Sequence, residues 1–268
     1  MDKENNMNNI LFGGYSDVGW QREINEDFID AIKLSDNVLF MAVADGAGSK
    51  NGNMLQPASI AVREVTENLR MALENDEQVF RDNAELFLKQ AMYSANRIIS
   101  AFTIANEELY SGFATTFTCY LLFDGKEVVF GHIGNAQLML LRLNKSKDTY
   151  IPKILTKEHT KAREMYDDGI IEYVDYVSHP DRMVVTGALG IATSPEFQFG
   201  RFNLKPGDFI IMTSDGIHYA IRPEPLAQIV IDSENCDNAS RALVEAAKGE
   251  KWNDNMSALI LFNKLETA

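Results

Sequence analysis

Cysteine is scarce: Cys119 and Cys236 are the only two among 268 residues. That excludes a disulfide framework and a multi-thiolate metal site, and both read as inert thiols. Apolar runs of membrane length are absent too; the longest, such as "VLFMAVA" and "FIIM", are strand-sized. The opening "MDKENNMNN" has neither a basic flank nor an apolar stretch, so no secretory leader is expected. Residues 1–9 are expected to be a flexible tail, and the cytoplasm is the expected compartment. No Lys/Arg cluster relieves the net charge of −14, which argues against nucleic acid as a partner. No internal repeat or linker divides residues 10–268, so one domain is the simplest organisation.

What is present is a mixture of periods. "ILFGGYSDVG" and "VLFMAVAD" read as strands, whereas "SIAVREVTENLRMAL" and "AELFLKQAMYSANRIISAF" place apolar residues three and four apart, as two helices would, joined by polar "ENDEQ". "ATTFTCYLLF" and "KEVVFGHI" flank Asp124-Gly125, a strong hairpin signal. "AQLMLLRL", "TYIPKIL", "FQFGRFNL" and "FIIMTSD" continue as strands; "PEPLAQIVID" and "NASRALVEAAKG" are helical, and "MSALILF" closes the chain as a strand. Between them, 157–183 is polar and irregular, a candidate flap. Hairpin-linked strands with paired helices, lacking regular βαβ alternation, indicate an α+β fold.

Asp-Gly occurs four times. Asp124-Gly125 is explained by the hairpin, and Asp168-Gly169 follows a helical pattern where Gly serves as a C-cap. Asp45 and Asp215 differ, because each follows an apolar strand and is held rigidly at the rim of a sheet. Asp254 lies just before the last strand, and Glu26 and Asp27 follow the first. Singly, each of these carboxylates is an ordinary cap or surface group. Brought together, they would repel one another and raise their own pKa values unless divalent cations neutralised them. An all-oxygen ligand set favours a hard ion such as Mg²⁺ or Mn²⁺.

In this order and context the motifs are recognisable over nearly the whole chain. "SDVGWQREINED", "VADGAGS", "FATTFTCYLL", "LTKEHT", "HPDRMVVTGALG", "LKPGDFIIMTSDGI" and "WNDNMSALIL" resemble successive elements of the metal-dependent, type 2C family of serine/threonine protein phosphatases. The resemblance implies two antiparallel sheets packed as a β-sandwich with helices on both sides, in four αββα layers. It also implies two Mn²⁺ or Mg²⁺ ions bridged by Asp45, with Glu26 and the carbonyl of Gly46 on one ion and Asp215 and Asp254 on the other. Asp27 would orient metal-bound water, and Arg22 would grip the phosphate in a fork that lysine cannot reproduce. A hydroxide bridging the ions would attack in line without forming a phosphoenzyme. On the same sequence argument, Gly46 lets its carbonyl turn toward metal, and Ala47 and Gly48 leave room for phosphate.

The sequence departs from the family where Gly-Asp-Ser-Arg is usual and Gly134, Asn135, Ala136 and Gln137 stand instead. A third, weaker ion at Asn135 and Asp215 is disfavoured there, because an amide carries no charge. Ser49 replaces a common second glycine, and Ala47 stands where many eukaryotic members have a proton-donating histidine. His132, His159, His179 and His218 read as structural. The expected substrate is a phosphorylated protein, opposing a serine/threonine kinase, acted on by a monomer. The alternatives are a pseudophosphatase that binds a phosphopeptide or partner without turnover, and a phosphohydrolase of small esters. The 157–183 region is expected to help choose substrates.

Overall fold

The structure, a computed structural model, describes residues 6–48, 56–105, 107–144, 146–147 and 149–265. Two antiparallel sheets face each other. The first runs in the order β1 (Ile10–Asp17), β11 (Met256–Asn263), β10 (Phe209–Thr213), β7 (Gln137–Asn144), β8 (Thr149–Ile154). The second runs β2 (Asp27–Ser35), β3 (Val38–Ala47), β5 (Phe117–Phe123), β6 (Glu127–Ile133), β9 (Gln198–Asn203), with the short β4 (Ala114–Thr115) paired to the end of β3. Long helices α1 (Pro57–Asn75) and α3 (Ala84–Ala105) cover the second sheet; α8 (Pro223–Asp232) and α9 (Cys236–Gly249) cover the first. Short helices α2 (Glu77–Asp82), α4 (Glu107–Tyr110), α5 (Lys161–Asp167), α6 (Tyr173–Tyr176) and α7 (Asp215–His218) lie in the connections. The four-layer αββα sandwich is the fold expected.

Three apolar layers hold it together, and β3 shows why its sequence is apolar without alternation. Val38, Phe40, Ala42 and Ala44 pack toward α1 and α3, while Leu39, Met41 and Val43 point into the layer between the sheets. Successive side chains leave a strand on opposite faces, so a strand buried on both sides reads as a continuous run. Between the sheets the same layer takes Tyr120 and Leu122 from β5 and Ile210 and Met212 from β10. On the far side, Leu226 and Val230 of α8 and Leu243 of α9 pack on Met139, Ile211 and Ile260. Each large apolar side chain so buried contributes roughly 1.5–3 kcal/mol.

Local signals held where they were strong. The β5–β6 hairpin turns at Asp124 (φ 50°) and Gly125 (φ 66°), the left-handed pair such a turn needs, and Gly169 (φ 70°) follows α5 as its C-terminal cap. Three details differ from expectation. The "ENDEQ" connection continues into α2, capped by Asp76, whose side chain accepts the Val79 N–H at 2.9 Å. β2 is a full strand that the sequence reading left out. Of the expected tail, Asn6–Asn9 form a 3-10 turn with Met7 packed against the inter-sheet layer, and residues 1–5 lie outside the described residues.

Candidate active site

The sandwich brings distant carboxylates to one end. β2 begins at Asp27 and β3 is finishing at Asp45, and the two are direct cross-strand partners. In the facing sheet, β10 hands over to α7 at Asp215, and Asp254 lies two residues before the start of β11, the neighbour of β10. Asp45 does not quite end its strand, since β3 runs on to Ala47. Its backbone is clamped: its N–H donates to Thr116 Oγ1 (3.2 Å), and its carbonyl accepts from the Thr116 N–H and Thr115 Oγ1, both at 2.9 Å.

Gly46 stays in strand conformation rather than turning, which corrects the reason given for it. Its N–H donates to Glu26 O at 3.2 Å, and a Cβ at this position would stand 2.7 Å from that same oxygen. Glycine is therefore required for the close approach of β3 to the Glu26 backbone. The chain turns two residues later, at Gly48 (φ +85°), and Ser49 lies outside the described residues.

The electrostatics follow from burial. Asp27 and Asp215 are 6% and 5% exposed; Asp45 keeps some exposure as a residue, although its carboxyl is ringed by protein atoms. Burial first, then repulsion from Asp215, Asp27 and Asp254, holds Asp45 well above the usual carboxylate range. Asp215 is pushed up to about 7 by burial, Asp254 and Asp27, and Asp27 to about 6 by burial, against opposing hydrogen bonds from Ser257 and Ser214.

The remaining expected residues are held around the cluster by their own partners. Arg22, about half exposed, pairs with Asp254 at 2.9 Å, so one arm of its guanidinium already grips an anion beside the cluster. Glu26 is fixed through its backbone N–H, which donates to Asn255 Oδ1 at 2.9 Å. Asn135 is buried and donates its Nδ2–H to Asp215 Oδ2 at 2.8 Å. That bond occupies one of the two Asp215 oxygens.

Each of the four histidines has a hydrogen-bond partner within the fold. His132 bridges Thr118 Oγ1 and the Lys157 carbonyl, His159 Nδ1 accepts the Gly134 N–H, His179 caps the 3-10 turn Pro180–Met183, and His218 reaches Thr213 Oγ1.

The donor set suits a hard cation. Asp27 Oδ1, Asp215 Oδ1 and Asn135 Oδ1 are fully buried without a hydrogen-bond partner, a costly state for acceptor oxygens unless something positive meets them. Among the described residues, no three His, Cys, Asp or Glu side chains converge as a ready-made cage. Asp254 Oδ1 is already engaged, by Arg22 and by the Asn255 N–H, both at 2.9 Å. Oxygen chemistry and orphaned acceptors fit divalent ions, with Asp45, Asp215, Asp254 and Glu26 as the carboxylates at hand.

The profile of the family described as protein phosphatase 2C matches residues 21–248. The chain belongs to that family. A putative protein phosphatase 2C-type of Streptococcus pyogenes serotype M6 is 24% identical over 254 residues, spanning 94% of this chain and 96% of its own. Among solved structures, the serine/threonine phosphatase of S. agalactiae has a TM-score of 0.80 at 21% identity, covering 95% of this chain and 100% of that one. The catalytic domain of the serine/threonine protein phosphatase PstP, solved in complex with 2 manganese ions, has a TM-score of 0.73 at 22% identity, covering 94% and 97%.

In this protein phosphatase 2C chain the cluster rests on a polar scaffold that the motif reading passed over. Ser214 Oγ donates to Asp27 Oδ2 at 2.8 Å and accepts the Ser257 N–H at 3.0 Å, linking β10 to β11 beneath the cluster. Asn255 ties three backbone groups at once, taking the Glu26 N–H and donating to the carbonyls of Val18 and Ile24. Glu158 adds to the negative potential that raises Asp215. The signal was adjacency: Ser214 and Asn255 each neighbour a candidate ligand. The 157–183 segment is rooted here as well. His159 N–H donates to Gly134 O at 2.7 Å, and Arg182 pairs with Glu158 at 2.7 Å while lying 4.0 Å from the centre of the Tyr219 ring.

Proposed function

We propose that the chain is a serine/threonine phosphoprotein phosphatase, hydrolysing phosphoserine and phosphothreonine with water as the attacking group, two Mn²⁺ or Mg²⁺ ions as cofactors and no phosphoenzyme. The observation that carries this reading is the gathering of buried carboxylates from both sheets, with acceptor oxygens of Asp27 and Asp215 left without partners. Asp45, Glu26, the Gly46 carbonyl, Asp215 and Asp254 would hold the ions, with Asp45 as the carboxylate they would share. When bound, such ions lower the pKa of water toward neutrality and stabilise charge on the phosphoryl oxygens. Asp27, held by Ser214, orients the attacking water, and Arg22 exchanges Asp254 for the phosphoryl group. The bond broken is between phosphorus and the serine or threonine oxygen, and inorganic phosphate leaves. The partner is a phosphorylated protein, in opposition to a serine/threonine kinase, and the enzyme works as a cytoplasmic monomer. Among the described residues no helix is long and apolar enough to cross a membrane.

One observation favours a second reading, a phosphopeptide-binding module with little turnover: Asn135 replaces a charged residue and hydrogen-bonds Asp215. Phosphate release from a phosphothreonine peptide separates the two. The expected result is release in Mn²⁺, none in EDTA, and a fall of on the order of 10²–10³-fold in Asp215→Asn, the scale of losing a main electrostatic contributor. Binding of the peptide without release in Mn²⁺ would select the module.

A further inference from the structure

A cavity that Asp45 helps to line opens beside the acidic cluster. It has a volume of about 390 Å³, within the roughly 300–1,000 Å³ of small-ligand clefts. Asp45 and Ala47 of β3 form its inner wall together with Thr115 and Thr116; Thr103 of α3, Phe113 and the Val185–Ile191 stretch complete it. Phe113 and Ala188 are buried, whereas Ile191 is 58% exposed at the mouth, and Ile104 beside Thr103 is 85% exposed. Apart from Asp45, its lining carries no charged side chain.

Continuity limits what can fill this cavity. It shares Asp45 with the phosphate-binding end of the sheets, so a phosphoresidue seated at the cluster carries its own neighbours past the cavity mouth. An extended chain advances about 3.3 Å per residue, which places a side chain one or two positions away at the opening. An acidic neighbour would meet the carboxylate-rich end of a chain of net charge −14, whereas an apolar one would meet matching walls.

We propose that this pocket, lined by Phe113, Ala114, Val185, Ala188 and Ile191 beside Asp45, receives an apolar side chain flanking the phosphorylated residue and so sets substrate preference. The inference rests on the phosphatase reading and names the class of peptide it acts on: phosphoserine or phosphothreonine with an aliphatic residue within two positions. The pocket takes no part in the bond change, so it acts on peptide binding and leaves hydrolysis of a small aryl phosphate alone.

The test uses two phosphothreonine peptides that differ only in leucine or aspartate at the flanking positions, with p-nitrophenyl phosphate as the control. Pockets that sense a single methylene discriminate by about 10–200-fold. The wild type in Mn²⁺ is therefore expected to prefer the leucine peptide by ~10-fold or more in kcat/KM. Ile191→Asp, at an exposed position, should erase that preference through KM and leave p-nitrophenyl phosphate turnover within about twofold. Ala188→Leu, which fills the cavity, should act alike; if it fails to fold, Ile191→Asp still decides. Fluorescence anisotropy of the labelled peptides gives a readout independent of turnover. Equal affinity for both peptides, or a preference untouched by Ile191→Asp, overturns the pocket inference. So does a protein dimer that dissociates in Ile191→Asp, since a second copy would then be the occupant. A protein that discriminates between the peptides but hydrolyses nothing overturns the phosphatase reading and leaves the pocket standing.

Discussion

The buried carboxylates make the site costly to fold, and the sign of that cost is testable. A carboxyl whose pKa is raised in the folded state binds more protons there than in the unfolded chain, so stability is lost as pH rises toward the raised value. His132, down to about 3, and His218, down to about 4, act oppositely: their contribution grows with pH and is complete by their ordinary value of 6.5. Above that value the acidic cluster dominates, with Asp215 at about 7 and Asp45 held well above the usual carboxylate range by burial and its carboxylate neighbours. In EDTA the melting temperature is expected to fall from pH 6.5 to about 8, by ~2–4 °C per kcal/mol lost. Saturating Mn²⁺ is expected to abolish the fall. A flat or rising profile in EDTA contradicts the coupling. Ser214→Ala tests the support under Asp27. It should lower Mn²⁺-dependent turnover by about 10–100-fold, as loss of an outer hydrogen bond at a metal site does. Unchanged turnover would mean that the 2.8 Å bond from Ser214 does not orient Asp27 for the reaction.

Elements differ in how much of themselves the sequence discloses. β3 was legible because burial on both faces leaves an unbroken apolar run, and α1, α3, α8 and α9 were legible because one buried stripe gives each a helical period. β2 was not, because it is an edge strand of mostly half-buried residues, in which Asp30 and Lys33 interrupt any alternation. α2 hid for a different reason: six residues with only Phe80 buried are too short to show a period. The 157–183 segment read as irregular because its order comes from partners outside it, Gly134 and Tyr219, and from the internal Arg182–Glu158 pair between its two ends, rather than from local pattern. Arg182 is the fastening. Its side chain is 17% exposed and its partner Glu158 13%. Arg182→Ala leaves that carboxylate without its cation and with the Tyr219 hydroxyl as its remaining donor at 3.1 Å, at a cost of about 1–3 kcal/mol for a group only partly desolvated. Hydrogen exchange over 161–183 should then accelerate, while the strands keep their protection. Unaltered exchange in the segment would show that the pair does not hold it.

On the scale of the whole molecule, the sandwich is what turns scattered carboxylates into a site. Asp27 and Asp45 belong to one sheet, Asp215 and Asp254 to the other, and only face-to-face packing through Leu39, Met41, Tyr120 and Met212 sets their ends side by side. Position next to strand termini was readable along the chain, which is why the candidate residues could be named. Their convergence was not, because it depends on a register and a packing that no local pattern encodes. The same limit explains Ser214, Asn255 and Glu158, whose roles exist only through partners from other strands and connections. The most direct measurement is anomalous diffraction from crystals grown in Mn²⁺, for the wild type and Asp45→Asn. Two anomalous peaks flanking the Asp45 carboxylate in the wild type, weakened or lost in the variant, are the expected result. Absence of any peak among Asp45, Asp215, Asp254 and Glu26 in the wild type would contradict the account.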